Sequence, residues 1–236
     1  MKEQQVSNNG VTINYLCCGD FNSHLTPIII VPGLEAAEDY IELMQTLLPR
    51  PSITISLRGR GKSIQPKEGY MLYDHIQDIE TVIEDMEIQR YIMFGYSFGV
   101  SYMLGYALGN LEKMVGMIIG DFPAVHRKLP KEWLQQFNQK TVSIDRPKQQ
   151  NKSFHKFLNA LQRESHEVVF WEVLQSFHFP VLVVSKGELS KQEIRKYEWY
   201  LPNCHSLVLK NGSKGHLRGN QDFIKSMGSF CSSLDL

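Results

Sequence analysis

Residues 93–103 read MFGYSFGVSYM, and at their centre Gly95-Tyr96-Ser97-Phe98-Gly99 frames a serine with two glycines where one periodicity gives way to another. Before it, Arg90 to Phe94 is a short apolar run of strand character. After it, Phe98 to Leu108 is almost uncharged, long enough for a buried helix and closed by Gly109-Asn110. Strand, sharp turn and helix in that order place Ser97 at a tight crossing, where a Cβ two positions to either side would collide. A serine held there stands at the positive end of a helix, beside unpaired N–H groups that favour an anion. The five-residue pattern alone is short enough to arise by chance, so its flanks carry the reading.

Outward from this point the chain alternates. Pro27 to Val31, Ile53 to Leu57, Tyr91 to Phe94, Met114 to Ile119 and Val181 to Val184 are short, unbroken apolar runs, the pattern of parallel strands covered on both faces. Asp74 to Glu87 carries Ile76, Ile79, Val82, Ile83 and Met86 on one helical stripe, with Asp78, Glu84, Asp85 and Glu87 expected in water. Asn8-Asn9-Gly10 predicts a hairpin turn before the alternating strand Val11 to Cys17. Later, Lys191 to Tyr200 reads as helix, Ser206 to Lys210 as strand and Asn220 to Ser233 as a terminal helix. Residues 123–178 break the rhythm with Pro123, Pro130, Pro147 and scattered aromatics. They are expected to form an inserted cap on a core of residues 1–122 and 179–236.

Lys and Arg number 25, as do Asp and Glu, so no overall field draws in nucleic acid or an acidic membrane, and a small-molecule partner is favoured. The N-terminus lacks an apolar leader core and no stretch has the length of a membrane span, so a cytoplasmic protein is expected. Cys17, Cys18, Cys204 and Cys231 have neither disulfide-framework nor zinc spacing and read as reduced thiols.

Together with Val31-Pro32-Gly33-Leu34, Arg58-Gly59-Arg60-Gly61-Lys62-Ser63 and Gly215-His216, the Ser97 turn makes the chain resemble the α/β-hydrolase superfamily over nearly its whole length. The resemblance implies an α/β fold: a mostly parallel central sheet flanked by helices, with a small helical cap after the sixth strand. Ser97 is then the nucleophile. His216, alone of the eight histidines in lying just beyond the last strand, is the general base. The backbone N–H groups of Leu34 and Phe98 are the oxyanion donors. Relatives often carry an aspartate after the strand matching Val181 to Val184, but Ser190 stands there. Asp121, ending the strand Met114 to Ile119, is the chosen acid, with Glu188 the alternative; the competing role for Asp121 is to cap the next turn or pair with Arg127.

Gly61-Lys62-Ser63 resembles the end of a phosphate-binding loop, but Ser56 occupies the place of the required glycine, and the stretch reads as a structural turn. Nine basic residues face Glu132 and Asp145 between His126 and Arg163. Solvation accounts for them, and a preference for anionic substrates is the sharper reading. Trp133 and Phe137 are candidates to line an acyl pocket. The expected activity is cleavage of a carboxylic ester or related acyl compound through an acyl-enzyme, with no metal or cofactor. Serine at 97 argues against dehalogenase and epoxide-hydrolase chemistry, which uses aspartate there. A binding or signalling protein retaining the hydrolase shell, and carbon-carbon hydrolase or lyase chemistry, stay open.

Overall fold

The computed structural model describes residues 1–135, 148–209 and 217–235. Strands β1 (Lys2–Asn8) and β2 (Val11–Cys18) form the expected hairpin, with Asn9 at φ 49° and Gly10 at φ 84° at its turn. Strands β3 (Ile28–Val31), β4 (Ser52–Ser56), β5 (Tyr91–Tyr96) and β6 (Met114–Gly120) follow. They are connected through helices α1 (Ile41–Thr46), α2 (Leu72–Asp85) and α3 (Phe98–Ala107). After β6 come β7 (Val125–His126), helix α4 (Lys148–Glu164) and β8 (Val168–Val169). Strand β9 (Val181–Ser185), helix α5 (Lys191–Tyr200), strand β10 (Cys204–Val208) and helix α6 (Gln221–Ser232) complete the chain.

The eight-stranded sheet has the order β1-β2-β4-β3-β5-β6-β9-β10. Only the β1–β2 and β2–β4 pairs are antiparallel. β7 and β8 pair separately. This is the α/β-hydrolase arrangement expected from the sequence. The unbroken apolar runs are explained by burial on both faces, because alternate residues of one strand enter different cores. Ile29, Val31, Met93, Met117 and Val183 pack with α2, α3 and α5, whereas Ile28, Ile30, Phe94, Ile118 and Val184 pack with α1 and α6. All four side chains of β3 are fully buried, each contributing roughly 1.5–3 kcal/mol. β10 begins two residues earlier than the sequence suggests, at Cys204, and its exposed flank blurs the apolar signal.

One expectation for α2 is corrected. Asp78 is not in water but fully buried. Its carboxylate accepts hydrogen bonds from the Arg58 backbone N–H (3.0 Å), Arg58 Nε (2.9 Å), Arg58 Nη2 (2.7 Å) and Asn8 Nδ2 (2.8 Å). The turn after β4, the N-terminal hairpin and α2 are thus tied at one carboxylate. The Arg58–Ser63 turn that it holds has Gly59 at φ 77° and Gly61 at φ 51°, with Ser63 Oγ accepting from the Asn14 N–H at 2.7 Å. No helix among the described residues is long and apolar enough to cross a membrane.

Replacing Asp78 with alanine would leave the buried Arg58 guanidinium without its main partner, with only the half-exposed Asp74 at 3.4 Å remaining. Urea denaturation should show a loss of about 3–5 kcal/mol, the cost of breaking a buried ion pair from one side.

Candidate active site

β3 pairs with β4 on one side and β5 on the other, so the chain reverses its direction of winding between β3 and β5. A crevice opens at the carboxyl ends of strands at such a point. Leu34 follows β3 there and Ser97 follows β5. Ser97 takes φ 52° and ψ −130°, a backbone conformation that costs a non-glycine residue about 1–3 kcal/mol. Its surroundings enforce the conformation. A Cβ at Gly99 would lie 2.0 Å from the Val31 carbonyl oxygen and 2.8 Å from that of Pro32. One at Gly95 would lie 2.9 Å from Val100 Cα. The end of β3 therefore sits against the first turn of α3 with no space between them, and Ser97, half-buried, is the residue that bends.

Gly33 completes the contact. A Cβ there would come within 3.0 Å of the Phe98 backbone nitrogen and 3.3 Å of Ser97 Cβ. The Gly33–Leu34 peptide thus lies beside the elbow and beside a helix-initiating N–H, that of Phe98, which has no partner within its own helix. Leu34 and Phe98 pack in the same cluster.

Asp121 also stands at this edge. Tyr96 pairs with Gly120 in the sheet, so the residues that follow them, Ser97 and Asp121, leave neighbouring strands side by side. Asp121 is buried, at 6 % exposure, with φ 49°. Its Oδ1 accepts from the backbone N–H of Glu188 (3.1 Å), that of Leu189 (3.1 Å) and Ser185 Oγ (3.4 Å). Among the described residues Oδ2 takes only the shared Glu188 N–H at 3.2 Å and retains accepting capacity. A carboxylate from the end of β6 therefore reaches the loop after β9. Among the described residues Arg127 pairs with Glu193 at 3.8 Å and no helix cap uses Asp121. Ser190, in the expected place of the aspartate, caps α5 by accepting from the Glu193 N–H at 3.2 Å. Glu188 is exposed.

Negative charge gathers on this side. The Tyr96 phenol is pushed up to about 12 by burial, reinforced by Glu35 and Asp121. Arg218 reaches the same region, 3.7 Å from Glu35 and 4.0 Å from Asp39, with its guanidinium 5.2 Å from the Tyr40 ring centre. Leu217 is fully buried among side chains of the central strands. His216 and Phe137 lie outside the described residues. Two other histidines are packed into the interior: His75, held well below its usual range by burial, and His126, lowered to about 4 by burial and by His166.

Trp133 stands edge-on to Phe98, ring centres 6.1 Å apart, within a cluster that joins Leu34 and Phe98 to Phe154 and Phe157 of α4. A cavity of about 580 Å³ beside Leu34 is bordered by Arg60, Gln65, Ser153 and Phe154. Arg60, which the sequence reading passed over as part of a structural turn, is buried here at 2 % exposure. The two arginines flanking Gly59 were a visible signal, but nothing in the sequence says that both turn inward, one to a carboxylate and one to a backbone carbonyl.

A profile of the alpha/beta hydrolase fold matches residues 26–169. The chain is 28% identical over 99 residues to the AB hydrolase superfamily protein YisY of Bacillus subtilis (strain 168), an alignment that spans 39% of this chain and 37% of that protein. The esterase RhEst1 from Rhodococcus sp. ECU1013 superposes with a TM-score of 0.75 at 19% identity, covering 99% of this chain and 100% of that one. The haloalkane dehalogenase DbeA from Bradyrhizobium elkani USDA94 superposes with a TM-score of 0.78 at 14% identity, covering 99% and 98%. At these identities the structural likeness is one of fold.

The Gly99 contact is open to a direct test. Gly99→Ala should destabilise the protein by about 3 kcal/mol, the upper end of overpacking costs, because the new methyl meets rigid backbone oxygens. Denaturation midpoints of the two proteins measure it.

Proposed function

Since the chain belongs to the alpha/beta hydrolase family, we propose that it is a serine hydrolase that cleaves a carboxylic ester or related acyl compound through an acyl-enzyme. The observation that carries this reading is Ser97 at φ 52° between the Gly33–Leu34 peptide and the first turn of α3. In this reading Ser97 Oγ attacks the acyl carbon, and the oxygen that becomes negative is taken by the N–H groups of Leu34 and Phe98. His216 accepts the serine proton and delivers it to the leaving group; water, activated by the same imidazole, then releases the acid.

The support for His216 is its position in sequence, two residues before Arg218, whose ion pair with Glu35 lies next to Leu34. Asp121 holds and stabilises the imidazolium through Oδ2, its Oδ1 being committed to the loop after β9. An acid in this role needs only to reach the far ring nitrogen, whichever strand it comes from. Residues 123–178 act as the lid, with Trp133 over Phe98 as an apolar wall.

On a panel of short and long acyl esters, Ser97→Ala should lower kcat/KM by roughly 10⁴-fold or more, and Asp121→Asn by a comparable factor. Glu188→Gln should leave it close to wild type. Equal turnover in all four proteins would defeat the enzyme reading. Loss in Glu188→Gln with activity kept in Asp121→Asn would move the acid to the later strand.

A further inference from the structure

We propose that Arg60 is a positioning residue for the oxyanion site, acting through the carbonyl of the peptide whose N–H is the Leu34 donor; the inference rests on the hydrolase reading above. Arg60 Nε donates to the Gly33 carbonyl oxygen at 3.2 Å. That oxygen and the Leu34 N–H belong to one planar trans peptide and point in opposite directions. Fixing the oxygen fixes the line of the N–H. A cationic donor on the oxygen also draws electron density along the amide, which strengthens the N–H as a donor.

The rest of the Arg60 environment holds the guanidinium in place. Nη1 donates to the Arg58 carbonyl at 2.8 Å and to His75 Nε2 at 2.7 Å. His75 Nδ1 donates to the Met71 carbonyl at 2.9 Å, so Nε2 is the accepting nitrogen of a neutral ring. Nη2 donates to Tyr102 Oη at 3.3 Å. The guanidinium carbon lies 4.6 Å from the Phe157 ring centre and 5.7 Å from that of Tyr102. Every one of these partners is neutral, and among the described residues Arg60 forms no ion pair. The neighbouring Arg58, by contrast, takes Asp78 at 2.7 Å and Asp74 at 3.4 Å.

A cation buried among neutral partners is costly, and it is best compensated by negative charge arriving during a reaction. The arrangement is preorganised: stacking between two aromatic faces and three further acceptors prevent the guanidinium from turning away when the charge appears. Gly59 makes the geometry attainable, because a Cβ there would lie 2.6 Å from Phe157 Cδ2.

The test compares Arg60→Met and Arg60→Lys with wild type, using ester turnover and the rate at which a fluorophosphonate labels Ser97. Labelling forms the Ser97 O–P bond, expels fluoride and places a phosphonyl oxygen where the oxyanion would lie. Arg60→Met should lower both kcat and the labelling rate by roughly 10- to 100-fold, less than removal of a direct donor, with KM unchanged. Arg60→Lys, which keeps the charge without the planar fork, should recover part of both. Circular dichroism verifies folding, and Arg60→Gln, a neutral variant with an amide donor, replaces the methionine variant if that chain does not fold. Wild-type labelling rates in a folded neutral variant, or a change confined to KM, would overturn the role of Arg60 while leaving Ser97 as the nucleophile. A wild-type protein that neither labels nor turns over would overturn both readings.

Discussion

The whole arrangement depends on the absence of side chains where β3 meets α3. With the Val31 carbonyl 2.0 Å from where a Gly99 Cβ would stand, the strand end and the helix share a space that only backbone fits. The sheet places β3 and β5 side by side, and the helix after β5 must begin at once to cover them. Backbone strain at Ser97 is the consequence, since a chain that turns from strand to helix in one residue must pass through an unfavourable conformation. The same contact puts the Gly33–Leu34 peptide beside the first N–H groups of α3. The strained serine and the closeness of the Gly33–Leu34 peptide to the start of α3 are two results of one packing constraint.

Much of this was legible in the sequence. Unbroken apolar runs announced strands buried on both faces, Asn9-Gly10 announced the hairpin, and the Gly95 and Gly99 frame announced the crossing, because in each case the physical cause is local. What escaped is what depends on partners distant in sequence. Asp78 lies on the polar side of a helical wheel and would be in water but for Arg58, 20 residues earlier, which draws it into the interior. Arg60 looks like its neighbour Arg58 until the turn sends one guanidinium to a carboxylate and the other to the Gly33 carbonyl. Ser190 stood in the expected place of an acid, yet its Oγ is spent on capping a helix.

Under the proposed mechanism the acid comes from the end of β6 rather than from the loop after β9. β6 and β9 are neighbours in parallel register, Gly120 beside Val184, so their ends emerge a strand spacing apart, about 5 Å. A carboxylate on either reaches the same volume. Starting from β6, Asp121 takes a positive φ and the backbone N–H groups of Glu188 and Leu189 receive it. The loop after β9 supplies amide donors in place of a side chain. Nothing in the spacing of the sequence reveals such an exchange, because it is set by sheet order.

Charge is unevenly distributed across the crevice. Burial, reinforced by the negative charge of Glu35, Asp121 and Glu188 and partly offset by Arg218, pushes the Tyr96 phenol up to about 12. Behind the Gly33–Leu34 peptide stands the Arg60 guanidinium, with only neutral groups in contact among the described residues. Under the proposed mechanism, positive charge develops on an imidazole held by Asp121 and negative charge on an oxygen facing Leu34. The fixed charges have the opposite sign at each of those two places. A field built into the fold in this way need not reorganise as the reaction proceeds, and its effect is largest where water is excluded. Burying Arg60 without a carboxylate weakens the resting protein, but a carboxylate beside it would cancel the field at the oxyanion side. Among the described residues no carboxylate pairs with Arg60, and under the proposed mechanism that leaves its charge facing the oxyanion side.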